Sequence, residues 1–113
     1  MKNKSGNNIY YHFTDRQIEY LALTSMGFVN KKIASILCTE ETTVKKILEE
    51  LFVKLNAVDR TSMVDNARVY GILTDKTKYK VANKYNINLP ITKEERYISK
   101  NYISKNNISK NNV

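Results

Sequence analysis

Between residues 27 and 60 the chain carries two short apolar periodicities separated by a break of only three residues, and few folds accommodate that arrangement. Val44, Ile47, Leu48, Leu51 and Leu55 recur at helical spacing, which predicts a helix over 41–54 with one buried face. Its other face carries Thr42, Lys45, Lys46, Glu49, Glu50 and Val53, so a lysine pair is left pointing outward. Just upstream, Ile33, Ala34 and Leu37 predict a shorter helix over 31–37, with Asn30 as N-cap and Lys31 and Lys32 in its first turn. Two lysines in that position oppose the helix dipole, and an anionic neighbour would relieve them. Cys38, Thr39 and Glu40 form the turn, too short to let the two helices pack independently. Thr39 is the expected N-cap of the second helix, Glu40 and Glu41 suit its positive end, and Cys38 reads as a small buried filler.

The flanks supply two more helices. Thr14 followed by Gln17 fits a capping box, Ile18, Leu21, Ala22 and Met26 share a face, and Gly27 can take the left-handed conformation that ends a helix at about Met26. After the next break, Asp59 caps a helix from Arg60 along which Met63, Val64, Ala67, Tyr70 and Leu73 recur before Gly71 to Thr74 end it. A four-helix core of about 60 residues is close to the lower limit at which burial alone sustains a fold, so pairing or partner binding is expected to help. The single cysteine excludes an internal disulfide. No residue set has metal-ligand spacing, and no apolar run reaches the length of a signal peptide or membrane span, so a soluble, cytoplasmic protein is expected. His12 is the only histidine and has no nucleophile or carboxylate pair beside it, and there is no glycine-rich phosphate loop. The expectation is a non-enzyme without cofactor or metal.

The segment 13–73 resembles the LuxR/GerE-type helix-turn-helix domain of bacterial transcription regulators. The resemblance runs through Phe13-Thr14-x-Arg16, Gly27-x-x-Asn30-Lys31-x-Ile33-Ala34, Thr43-Val44-Lys45, Lys54-Leu55, Asp59-Arg60-Thr61, Ala67 and Gly71-Ile72-Leu73, in order. It implies an all-α, four-helix domain that inserts helix 41–54 into the major groove of double-stranded DNA, with Thr43 and Lys45 at the backbone or groove and Lys46 at the bases. It also implies that Val44 packs inward or at the groove edge, and that Asn30 and Lys31 anchor near phosphate. Lysine serves both a phosphate oxygen and a guanine edge. Thr42 shares the outward face, which completes a DNA-contact set of Asn30, Lys31, Thr42, Thr43, Lys45, Lys46 and Glu49. The chain departs from the family pattern at Gln17, Lys32, Glu40 and Ile47, and carries Glu49 and Glu50 where relatives often have basic or neutral polar residues. A carboxylate there is repelled by phosphate but accepts from a cytosine amino group. The last helix pairs two subunits in family members, which makes Met63, Ala67 and Tyr70 dimer-interface candidates.

Net charge is +8, yet residues 13–74 hold eight basic and eight acidic residues, so the excess lies at the two ends. Such ends are either basic arms that raise affinity without adding sequence information or a product of AT-rich codon usage. The chain therefore divides into a flexible arm over 1–12, the DNA-binding domain over 13–74, and a basic, low-complexity extension over 75–113, partly helical or disordered. In the extension, 75–86 reads as a basic helix with Tyr79, Ala82 and Tyr85 on one side, and Pro90 breaks it off. Thr92 with Glu95 forms a second capping box before a helical stretch over 96–102. Three pentads follow, Tyr97-Ile98-Ser99-Lys100-Asn101 being the first, at a period that suits neither helix nor strand. No receiver or ligand-sensing segment is recognisable, so control by abundance or by a partner is expected. The competing reading is a protein-interaction module that keeps the fold and turns its Glu49 and Glu50 face to RNA polymerase or another regulator.

Overall fold

A computed structural model describes residues 13–97; the arm over 1–12, with His12, and the pentads from 98 onward lie outside the described residues. Six helices follow one another: α1 (Asp15–Ser25), α2 (Asn30–Leu37), α3 (Glu41–Lys54), α4 (Arg60–Val69), α5 (Asp75–Lys84) and α6 (Lys93–Tyr97). No strand occurs among the described residues, so the all-α expectation holds.

Helix starts are chemically marked at four places. The Thr14 hydroxyl accepts the Gln17 amide at 3.1 Å while the Gln17 side chain accepts the Thr14 amide at 2.9 Å, the reciprocal box expected there. Asp59 accepts the Ser62 amide at 2.8 Å, Thr74 accepts that of Thr77 at 3.2 Å, and Thr92 with Glu95 repeats the reciprocal arrangement. Two expected caps are displaced by one residue. α2 begins at Asn30 with Val29 as its N-cap, and α3 is preceded by Glu40 rather than Thr39; neither cap makes a side-chain bond.

The five longer helices end alike. Gly27, Cys38, Asn56, Gly71 and Asn86 all have positive φ. At each, the following amide reaches back five residues and the residue's own amide reaches back three, as in Thr39 to Ala34 at 2.9 Å and Cys38 to Ser35 at 3.3 Å. Phe28, Ala57, Ile72 and Ile87, the residues that follow four of these turns, then fold back against the core. Cys38 is thus exposed in a left-handed turn, not the buried filler the sequence suggests.

The core gathers around α1, which packs against α2, α3, α4 and α5. Ile18, Leu21, Ala22 and Met26 predict a single buried face, but Glu19, Tyr20, Leu21, Ala22, Leu23 and Thr24 are all enclosed. A helix covered on nearly every side needs a second layer, and α5 provides it, contributing Val81 and Ala82 to the core. α5 is shorter than expected and turns in Val81 and Ala82, leaving Tyr79 exposed. α6 starts at Lys93, earlier than expected, and packs on α2. Residues 75–97 therefore complete the core that the first four helices begin.

Candidate nucleic-acid interface

Helix α3 is held by Val44, Leu48 and Leu51, with Leu55 beyond its end, all buried, and Ile47 packs at the margin of the core. Turning around the helix from that row, Glu41, Thr42, Thr43, Lys45, Lys46, Glu49, Glu50 and Val53 are all exposed. The lysine pair thus occupies an outward face whose orientation is set by a rigid inward one. At the far end, Lys54 donates to the Gln17 side chain at 3.2 Å and sits over the Phe13 ring at 5.0 Å, which fastens α3 to the start of α1.

Helix α2 is pinned at both ends by arginines that the sequence reading did not single out. At its amino end, the Arg60 guanidinium donates to the Asn30 side chain at 2.8 Å and to the Phe28 carbonyl at 2.6 Å. Burial pushes the Arg60 guanidinium below its ordinary pKa. Asn30 is therefore neither the helix cap nor a free polar group; its oxygen is committed to Arg60. At the carboxyl end, Arg16 donates to the Leu37 carbonyl at 3.1 Å, satisfying one of the orphan acceptors of the last turn. Arg16 and Arg60 both lie in motifs of the resemblance, which was the available signal for them.

Arg16 is itself fixed by Glu19, an enclosed carboxylate. Glu19 accepts from Arg16 at 3.1 Å, from the Lys84 ammonium at 2.5 Å and from the Tyr85 hydroxyl at 2.7 Å. Burial pushes the carboxyl up, but the bonds from Lys84, Tyr85 and Arg16 outweigh it and hold Glu19 below the usual carboxylate range. One acidic group thereby links α1, α5 and, through Arg16, the end of α2.

Lys31 and Lys32 part company. Lys31 is exposed, whereas Lys32 is buried with its ammonium 6.0 Å from the centre of the Phe28 ring. Burial lowers its pKa, opposed by the charge of Glu95 on α6. Lys32 is enclosed on the helix against which α6 packs. Of the dimer candidates, Met63 and Ala67 are 0% exposed and belong to the core, so a second chain has nothing of them to touch. They face inward because α4 packs on α1 and α3. Tyr70 is half-buried, and the large apolar group α4 leaves exposed is Val69.

Two helices at this separation, the second with a polar outward face, define a helix-turn-helix, the class of DNA-binding regulatory domains. Residues 12–67 match the family described as bacterial regulatory proteins, luxR family, and the chain belongs to that family through this domain. Among curated relatives, the HTH-type transcriptional regulator AlkS of Alcanivorax borkumensis is 40% identical over 60 residues, 53% of this chain and 7% of that protein. Response regulator Rre1 of Synechocystis is 38% identical over 60 residues, 53% of this chain and 26% of that protein. The likeness is thus to one domain of longer proteins. No solved structure matches the chain significantly.

No described helix is long and apolar enough to cross a membrane.

Proposed function

We propose that this protein regulates transcription in the cytoplasm, at the nucleoid, by binding duplex DNA in a sequence-specific way, with α3 laid in the major groove. The observation that carries the reading is the outward face of α3: Thr42, Thr43, Lys45 and Lys46 are exposed on a helix whose opposite row is locked into the core. Lys46 and Glu49 read base edges, Lys45, Thr42 and Thr43 meet backbone or groove wall, and Lys31 holds a flanking phosphate. Asn30 contributes indirectly, by locking the start of α2 to Arg60. The protein acts as a dimer on two half-sites about one helical turn apart, meeting its second copy at Val69, exposed at the end of α4, and at the half-buried Tyr70 that follows it.

Selection of bound fragments from a genomic library tests this. The expected result is a recurring motif with two half-sites, whose preferred bases change in Lys46→Ala or Glu49→Ala; absence of any enriched motif overturns sequence-specific binding, and a single half-site overturns the dimer.

A second reading has its own support. Val53 is 81% exposed on the same side of α3 as Glu49 and Glu50, an acidic and apolar face suited to a protein partner such as RNA polymerase or another regulator. Under it, Glu49→Lys/Glu50→Lys abolishes regulation while DNA binding persists or strengthens.

A further inference from the structure

The amino end of α2 lacks what usually holds a helix start. Val29, its N-cap, makes no side-chain bond, and the first turn contains Lys31 and Lys32 but no acidic residue. Two ammonium groups therefore stand at the positive end of the helix dipole, beside amides that no cap satisfies, and a turn built this way frays on its own. The phosphate contact assigned to Lys31 falls in that turn.

Two arginines from later in the chain hold it. Arg60 of α4 donates to the Phe28 carbonyl and to the Asn30 side chain. Arg96 of α6 bonds the residues between and before these: its Nε donates to the Met26 carbonyl at 3.1 Å, and its carbonyl accepts from the Val29 amide at 3.3 Å. The connection into α2 is thus tied in alternation to Arg96 and Arg60. The Arg96 side chain has room because residue 27 is Gly: with φ at +92°, a Cβ there would stand 2.8 Å from the Arg96 Nε. The Thr92 and Glu95 box fixes α6 just ahead of Arg96. The charge of Glu95 also acts on Lys32, giving the first turn of α2 the negative neighbour it lacks. Arg60 falls inside the segment that matches the family and Arg96 outside it, so the second hold comes from the extension of this chain.

We propose that Arg96 is a positioning residue for DNA binding: α6 locks the first turn of α2 so that Lys31 meets its phosphate, which makes that contact conditional on the docking of residues 93–97. This rests on the DNA-binding reading above and deepens it. Arg96 acts through Lys31 and not on the duplex, and a Lys31 held in place beforehand loses less of its attraction to ordering the turn.

The test compares the full chain with Arg96→Gln, Lys31→Gln and the double variant on one selected duplex across a salt series. One lysine engaged with phosphate contributes about 0.9 to the slope of log affinity against log salt, which is about 3.5-fold in affinity between 50 and 200 mM salt. Each single variant is expected to lose that share of the slope, the double variant to lose no more than either, and all three to keep the wild-type motif and helical signal. In the DNA-free protein, the Val29 amide is expected to exchange its hydrogen faster in Arg96→Gln than in the wild type. If the wild type binds and either single variant keeps its full slope, or the Val29 amide stays as protected in Arg96→Gln, the proposal fails while the function of α3 stands. Losses that add in the double variant also overturn it, because Arg96 then acts independently of Lys31. If the wild type binds no DNA at low salt, the reading of α3 fails with it.

Discussion

Replacing Glu19 by Gln keeps the shape of the side chain and removes the charge on which three donors converge. The amide presents one acceptor and two donors to a site where Arg16 and Lys84 can only donate and where the Tyr85 hydroxyl already accepts from Arg16, so most of the three bonds are lost or made badly. Charge-assisted bonds are worth roughly 1.5–3 kcal/mol when enclosed. The Arg16 and Lys84 side chains are 51% and 60% exposed, however, and water takes up their released charges. Discounting those two to surface values and counting the Tyr85 bond more fully gives a loss of about 2 kcal/mol at neutral pH. For a domain of this size that lowers Tm by about 10 °C. The pH dependence follows from the direction of the shift. Glu19 is held below the usual carboxylate range when folded, so its contribution is present above the unfolded carboxylate pKa and is lost as pH falls through the folded one. Thermal unfolding followed by circular dichroism at pH 7, and again below pH 4, should show a wide gap between wild type and Glu19→Gln that closes in acid. A gap under about 2 °C at pH 7, or one that stays constant into acid, refutes the network as described.

Two further substitutions probe the second layer around α1. Thr24 has a buried hydroxyl with no hydrogen-bond partner, so Thr24→Val should raise stability by about 1 kcal/mol in urea unfolding; a loss would mean the hydroxyl is bonded. Val81→Ala removes apolar contact between α5 and α1 and should cost about 2 kcal/mol, whereas no change would show that residues beyond 74 are dispensable to the core.

The local chemistry of helix ends and faces was plain in the sequence. Thr14 with Gln17, Asp59, Gly27 and the inward row of α3 all stand as their residue types predict, since each depends on neighbours three or four positions away. What escaped depended on distant partners. Asn30 reads as a cap until Arg60, thirty residues on, claims its oxygen. Thr39 reads as a cap until its amide is drawn back to Ala34 by the left-handed turn at Cys38. Lys32 reads only as a first-turn lysine, and its burial beside Phe28, on the helix that α6 packs against, depends on residues more than sixty positions on. Met63 and Ala67 fitted both a pairing face and a core face, because a helical stripe states only that something covers it. On the outward side of α3 the sequence placed Thr42, Lys45, Lys46, Glu49, Glu50 and Val53 on one face, and there the fold agrees. Glu19, the hub of the polar network, carried no local sign: its partners Lys84 and Tyr85 lie on a helix and turn that the sequence assigned to a tail.

The most direct test is the affinity of a selected DNA duplex for the wild type and for Lys45→Ala/Lys46→Ala, measured by fluorescence anisotropy over a range of salt concentrations. The wild type should bind at low salt and weaken steeply as salt rises; the double variant should lose about 2–5 kcal/mol of affinity, show a shallower slope and stop discriminating the selected motif from random sequence. Equal affinity, slope and discrimination in the two proteins would contradict the assignment of α3 as the DNA-reading helix.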